Sequence, residues 1–325
     1  MPQQSTSETR HVTLATIAEH LGVSRMTVSN AYNRPDQLSS ELRRRVLAAA
    51  EELGYAGPDP VARTLKRGRT GTLGILFDDP LTYAFTDPAA VLFLQGVAGA
   101  CEAHGSGLLI VPLSPDEGGL QSIRTAMVDG FIAYCDSEGD PRIAAIEHRG
   151  VPFVMADGPS RPGVPSVGVD DRTGARAAAQ HLCDLGHRNV AILAFPLVPD
   201  GQTGPVDEDR LKATSYFVTK QRLRGYFDAL GAIGLNPGLI RIEEVSRATF
   251  DAGRVASAML LDRAPRPAAI LAMSDELALG ALSAAHERGI RVPDQLSIVG
   301  FDDAPPAARA TPPLTTVYQD HSRKG

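Results

Sequence analysis

From Thr72 to the end of the chain, short apolar runs alternate with segments of helical periodicity, and this rhythm constrains the fold more than any other feature. The runs are LGILF, GLLIVPL, DGFIAY, PFVMAD, VAILAF, AAILAM and LSIVGF, each bounded by turn residues. Between several of them, Pro88 to His104, Gly174 to Leu185, Gln221 to Leu230 and Glu276 to Arg288 carry apolar residues at helical spacing. A strand buried on both faces reads as an unbroken apolar run, so the alternation predicts parallel sheets with crossover helices. Seven such strands spread over residues 72–325 fit two doubly wound sheets better than one. The stretch from Pro199 to Lys220 is polar and glycine-bearing, and an irregular loop is expected there.

The front of the chain has a different period. Thr13 can cap a helix whose Leu14, Ile17, Ala18 and Leu21 recur at spacings of three and four, with Gly22 breaking it. Ser24 can cap a second by accepting from the Thr27 amide, leaving Val28 and Ala31 inward. A third follows Ser39, with Leu42, Val46, Ala49, Ala50 and Leu53 on one stripe and Gly54 at its end. Two short helices around a glycine turn, supported by a longer one, form a helix-turn-helix pattern. In the linker GPDPVARTLKRGRTG, Asp59 and Pro60 suit the start of a helix reaching Lys66, which at two turns needs a partner to persist.

Charge separates these regions. The total of -6 is made of +3 in residues 1–70 and -9 in the remainder, so only the front suits a polyanion. No apolar run is long enough to span a membrane and the leading MPQQSTSETRHVT has no apolar leader, so the cytoplasm is the expected location. Cys101, Cys135 and Cys183 lack metal-ligand spacing and read as reduced packing residues. GxSxG, GxxxxGK and HExxH are absent, so neither an enzyme nor a metal or other cofactor is expected. A carbohydrate-processing enzyme or a plain solute-binding protein is the alternative; nothing assigns an acid to the first, and the front helices oppose the second.

The ordered set VTLATIAEHLGVSRMTVSNAYN, VARTLK, SVGVDDRTGARAAAQHLCDLGHRNVAIL, QRLRGY, SDELALGALSAAHERGIRVPDQLSIVGFDD and PPLTTVYQD resembles the LacI family of bacterial transcription regulators. The resemblance implies an α-helical helix-turn-helix headpiece, a hinge helix and an α/β effector domain of two doubly wound subdomains like periplasmic binding proteins. It places the headpiece at 1–57, the hinge at 58–71, the first subdomain at 72–185 with a return near 317–325, and the second at 186–316. It also implies a homodimer on a palindromic operator, more often a repressor, controlled by a sugar-like ligand; induction and co-repression fit equally. Members usually continue past HSRKG with a helix and final strands, so either the chain is shortened, with an apolar sheet face exposed, or its ending is unusual.

In helix-turn-helix docking the start of the second helix meets base edges in the major groove. That assigns base readout to Arg25, Met26 and Asn30: Arg25 for guanine, Asn30 for adenine, Met26 for a thymine methyl. Thr13, Ser24, Thr27, Ser29, Asn33, Ser39 and Tyr55 are expected at phosphates, although the hydroxyls serve equally as caps. By resemblance, Leu65 is the minor-groove wedge of a hinge that also uses Ala62, Arg63 and Lys66, with Arg67 and Arg69 at phosphates; simple dimer packing is the other use for Leu65. One residue more than usual separates Tyr55 from Val61.

Doubly wound folds bind ligands at the carboxyl ends of their strands, where this chain places Asp78, Asp79, Asp170, Asp171, Ser274, Asp275, Asp302 and Asp303. Resemblance singles out Arg222, Asp302 and Asp78 as effector contacts, and Ser274 stands where the family frequently has Asn. Tyr83, Phe85 and Phe250 are candidate platforms for a ring face, with packing as the alternative. For Asp171, Asp275 and Asp303, helix capping competes with ligand contact, and His187 reads as structural.

Overall fold

The computed structural model describes residues 12–57, 64, 68–77, 80–111, 117–134 and 139–325. The chain divides into two compact units, Met1–Thr70 and Gly71–Gly325.

The first unit holds α1 (Leu14–Leu21), α2 (Arg25–Asn33) and α3 (Ser40–Glu52). Gly22 closes α1 with φ 68°, a left-handed turn that a side chain would oppose, and Ser24 Oγ opens α2 by accepting from the Thr27 amide at 3.0 Å. Thr13 and Ser39 cap α1 and α3 in the same way. These caps hold the helices so that Ile17, Ala18, Val28, Ala31, Val46, Ala49 and Ala50 share one small core. Burying each larger side chain there contributes about 1.5–3 kcal/mol, which offsets helix nucleation that segments this short cannot sustain alone.

The second unit contains two sheets. The first comprises β1 (Thr72–Phe77), β2 (Gly107–Val111), β3 (Gly130–Tyr134), β4 (Phe153–Ala156) and β5 (Ser166–Val167), in the order β2-β1-β3-β4-β5, all parallel. With it run α4 (Leu81–Ala84), α5 (Pro88–Ala103), α6 (Glu117–Thr125) and α7 (Pro141–Arg149). The second comprises β6 (Val190–Ala194), β7 (Gly204–Pro205), β8 (Arg241–Glu244), β9 (Ala269–Ala272), β10 (Ser297–Asp302) and β11 (Thr315–Tyr318), ordered β11-β10-β9-β6-β8-β7. Its helices are α8 (Asp171–Asp184), α9 (Glu208–Lys212), α10 (Phe217–Ala232), α11 (Phe250–Leu261), α12 (Asp275–Glu287) and α13 (Pro305–Arg309). Every residue of β6 and β9 is buried, between α8 and α10 on one face and α11 and α12 on the other, which explains their unbroken apolar runs.

After β11 the chain runs into α14 (His321–Lys324), which packs on α5 of the first sheet's half. Ser322 Oγ donates to the Leu92 carbonyl at 3.3 Å. A Cβ on Gly96 would stand 2.0 Å from the Ser322 carbonyl oxygen, so only glycine admits this contact.

Two expectations need correction. Pro199 to Lys220 is not an irregular loop: it contains β7, antiparallel to β8, then α9 and the first turn of α10. Its polarity is used internally, because Arg210 grips Asp200 and Glu244. The strand count was also too low, since β5, β7, β8 and β11 add to the seven runs. RIEE hides β8 by burying two glutamates where apolar residues are normal: Glu244 answers Arg210, and Glu243 lies 3.1 Å from Arg263 Nη1.

Cys101 and Cys183 are free and buried, while Cys135 lies outside the described residues. No helix among the described residues is long and apolar enough to cross a membrane.

Candidate nucleic-acid face and ligand cavity

Several polar groups of the first unit are engaged within the headpiece itself. Ser24 Oγ lies 2.8 Å from Thr27 Oγ1, Asn33 Nδ2 donates to the Ser29 carbonyl at 3.1 Å, and Asn30 Nδ2 donates to Gln37 Oε1 at 3.3 Å. Tyr55 packs edge-on to Tyr32, with centroids 6.0 Å apart. The start of α2 is different. Arg25 is exposed and makes no ion pair with any described residue, and Met26 is 67% exposed beside it. An unshared guanidinium and an uncovered thioether at a capped helix start are groups available to a partner. Of the hinge residues, Ala62, Arg63, Leu65, Lys66 and Arg67 lie outside the described residues, as do Asp78 and Asp79 in the second unit.

In the second unit a cavity of about 430 Å³ is lined from both halves. Phe77 ends β1, Tyr134 ends β3 and Asp157 follows β4, while Phe195 follows β6, Ser274 follows β9, Asp302 ends β10 and Gln319 follows β11. All are at carboxyl ends of parallel strands, where the doubly wound topology opens a crevice, and the size falls in the roughly 300–1,000 Å³ range of small-molecule sites. The segment carrying Val198, Pro199, Gly201 and Tyr216 forms another wall. Arg210 holds that segment down: its Nη1 donates to Asp200 Oδ2 at 2.8 Å and its Nη2 to Glu244 Oε1 at 2.8 Å, and the Arg210 hydrogen bonds hold the Asp200 carboxyl down at about 2.

Arg222, on α10, is the buried centre of the second half's wall. Its Nε donates to Asp171 Oδ1 at 2.8 Å, its Nη1 donates to the Met273 carbonyl, and its guanidinium lies 3.6 Å over the Phe301 ring. Nη1 is also 4.0 Å from Asp302 Oδ1. Asp302 accepts from Gln319 Nε2 at 2.7 Å and adopts φ 122°, a region that normally demands glycine. Asp157 is likewise left-handed at φ 56° and pairs with Lys324 of α14. Non-glycine residues in this conformation cost stability and collect at binding sites, and these two hold carboxylates toward one cavity. From the first half, Asp87 caps α5 through the Ala90 amide at 2.9 Å; burial and then the Asp302 charge push its carboxyl up to about 7.

Of the residues marked in the sequence, Tyr83, Arg222, Ser274 and Asp302 line the cavity. Tyr83 also reaches across it, its hydroxyl donating to the Ala248 carbonyl at 2.9 Å. Asp170, Asp275, Phe85 and Phe250 are not in the lining. Asp170 caps α8, where the Thr173 amide and hydroxyl hold its carboxyl below the usual range. Asp275 is buried as an internal acceptor for the Ala304 amide and the Thr316 hydroxyl, and burial pushes it up to about 7. Phe85 is 61% and Phe250 41% exposed. Asp171 accepts from Arg222 and is not in the lining, and His187 contacts Ser297 Oγ at 2.9 Å.

Asp87, Asp157, Gln319 and His321 line the cavity without having been singled out. Asp87-Pro88 at a helix start is a readable signal; Gln319 meets Asp302 through the pairing of β10 with β11, and His321 reaches the cavity, and Lys324 reaches Asp157, through the return of α14.

Residues 13–57 match the model of bacterial regulatory proteins of the lacI family, and residues 179–325 match that of the periplasmic binding protein-like domain. A helix-turn-helix-type transcriptional regulator of Mycolicibacterium smegmatis is 41% identical over 325 residues, covering 97% of this chain and 88% of that protein. The solved complex of the transcriptional regulator CelR with cellobiose superimposes with a TM-score of 0.65 at 30% identity, over 96% of this chain and 89% of that one. The lac repressor dimer bound to operator and the anti-inducer ONPF gives 0.76 at 27% identity, over 96% and 89%.

Proposed function

The chain belongs to the LacI family of transcriptional regulators, with a helix-turn-helix headpiece and a periplasmic-binding-protein-like effector domain, and from that premise we propose that it is a homodimeric, ligand-controlled repressor of the cytoplasm. Arg25 and Met26 read base edges, with Asn30 one turn further along α2. Thr13, Ser24, Thr27, Ser29, Asn33, Ser39 and Tyr55 set register at phosphates, and the hinge around Leu65 bends the duplex. The ligand is sugar-like and sits between the two halves of the effector domain, against Arg222, Asp302, Ser274 and Tyr83. It acts by binding the closed and open cleft unequally, since only differential affinity shifts such an equilibrium.

The observation that carries this reading is the unshared, exposed Arg25–Met26 pair at the capped start of α2. It is supported by the relatives' names and by the operator and sugar complexes among the solved neighbours. Selection from a random duplex pool should return a palindrome for the wild-type protein. Arg25→Ala should lose about 1–3 kcal/mol of preference for that palindrome while keeping salt-sensitive binding to unrelated duplex. Equal selection by both proteins would remove Arg25 from base readout.

A further inference from the structure

Outside the cavity lining, the second half carries a group of surface charges that do not cancel. Arg172 and Arg176 stand one turn apart on α8, Arg224 and Asp228 one turn apart on α10, and all four are exposed. Asp228 is taken by Arg172, whose Nε and Nη2 donate to its two oxygens at 2.7 and 3.1 Å. These hydrogen bonds, and then the charges of Arg172, Arg176 and Arg224, hold the Asp228 carboxyl below the usual range, so all three guanidiniums gather about one carboxylate. Arg176 and Arg224 make no ion pair with any described residue. The other carboxylates of α8 and its cap are already used: Asp170 accepts from Thr173, Asp171 from Arg222 and Asp184 from Gln180.

Fold stability gives no reason for this grouping, because like charges four residues apart on a helix are destabilising. Elsewhere in the same half arginines find acids: Arg254 has Asp251, Arg263 has Glu243, Arg288 has Asp262 and Arg291 has Asp294. The helices that carry the group are also fixed against each other. A Cβ on Gly225 would stand 2.2 Å from the Arg172 carbonyl oxygen, and the buried Arg222–Asp171 pair ties α10 to α8 a second time. Charges on so fixed a base are spared part of the ordering cost of binding.

The surroundings decide what such a patch can hold. Residues after Thr70 carry a net charge of -9, so a long polyanion such as duplex DNA would be repelled on either side of the patch. A second copy presenting the same face would set guanidinium against guanidinium. A short acidic segment meets neither penalty, since two of its carboxylates can each accept from one free guanidinium in the forked geometry that arginine favours.

We infer that the α8–α10 face is a docking surface for a partner protein, held through a short Asp/Glu-rich segment by Arg176 and Arg224, with Arg172 kept in place by Asp228.

The test uses the full chain, an Arg176→Gln/Arg224→Gln double variant, and an Arg266→Gln/Arg309→Gln double variant that loses the same charge from two other exposed arginines. Fluorescence anisotropy at about 50 mM salt follows labelled peptides of about eight residues: one of alternating Asp and Glu, its Asn/Gln counterpart, and a Gly/Ser peptide with one phosphoserine. Excess unlabelled duplex keeps the basic first unit occupied. The wild-type chain should bind the acidic peptide and not the Asn/Gln one; the first double variant should bind it about five-fold or more weakly, and the second within about two-fold of wild type. Amide hydrogen exchange should slow in α8 and α10 when the acidic peptide is added, and both double variants should melt within about 2 °C of wild type. No binding by the wild-type chain, or equal weakening in both double variants, would overturn the docking surface. A preference for the phosphoserine peptide, duplex binding that falls in the first double variant alone, or self-association in sedimentation that the same variant abolishes would each overturn the class of partner. A larger fall in melting temperature for the first double variant would make Arg176 and Arg224 structural and end the proposal.

Discussion

In the headpiece, Thr13, Ser24 and Ser39 each find their partner three residues away, whereas in the cavity Arg222 reaches Asp171 across 51 residues and Lys324 reaches Asp157 across 167. The first kind of contact is a cap on one helix, worth about 1 kcal/mol and replaceable without disturbing the rest. The second is a buried pair whose members come from different elements, and removing one strands the other in a poorly solvated site. Binding and stability are therefore separable on the headpiece surface and entangled in the cavity wall.

The sharpest way to break this contrast is Arg222→Met. Met fills much of the space but leaves Asp171 buried without its partner and Asp302 without its nearest guanidinium. Burial already pushes the Asp171 carboxyl up despite Arg222, so the unpaired group will take a proton or destabilise the fold. The expected loss is about 3–5 kcal/mol in urea unfolding followed in the effector domain, and Asp171→Leu in the same chain should recover part of it. A loss under about 1 kcal/mol would mean that water reaches the pair, and the cavity wall would then resemble the headpiece surface.

A smaller effect concerns Asp87, whose carboxyl is pushed up to about 7 by burial, by Asp302 across the cavity and by the Glu276 charge. The folded chain then holds a proton that the unfolded chain releases near pH 4, so this group lowers stability progressively from about pH 4 to about pH 7. Asp275, pushed up to about 7 by burial and Asp302, acts in the same direction. Asn at position 87 can still cap α5 through the Ala90 amide. Asp87→Asn should therefore gain on the order of 1 kcal/mol at pH 8, gain nothing at pH 4, and flatten the slope between them. An identical pH profile for variant and wild type would show that the cleft leaves Asp87 hydrated.

The same contrast in partner separation decides what the sequence could reveal. The caps and stripes of α1 to α3 were legible because Ser24 and Thr27, or Leu42 and Val46, lie within one helical turn of each other. The buried strands β6 and β9 were legible for a similar reason, since every residue in them is apolar. β8 was not, because Glu243 and Glu244 look like solvent-facing residues until Arg263 and Arg210 are brought beside them. Asp170 and Asp275 sit where strand ends meet helix starts, a location shared by ligand residues and caps, and local chemistry alone does not separate the two. Arg222 and Asp302 were found through their motifs, while Gln319 depended on β11 pairing with β10 and His321 on α14 crossing back onto α5.

The smallest expected effect is the one that tests separability most directly. Met26 is exposed on α2 and is absent from the headpiece core, so Met26→Ala should change headpiece stability by less than about 0.5 kcal/mol. Ser24→Ala should cost about 1 kcal/mol, because the Thr27 amide loses its acceptor at the helix start. If DNA reading is a surface property, the two variants will rank in opposite order in operator selection. Met26→Ala will change the base preferred at one position, since an apolar contact to a thymine methyl is lost, and Ser24→Ala will weaken all duplexes alike. Should Met26→Ala leave every position of the selected site unchanged, base readout would fall to Arg25 and Asn30, and the exposed methionine would have no part in it.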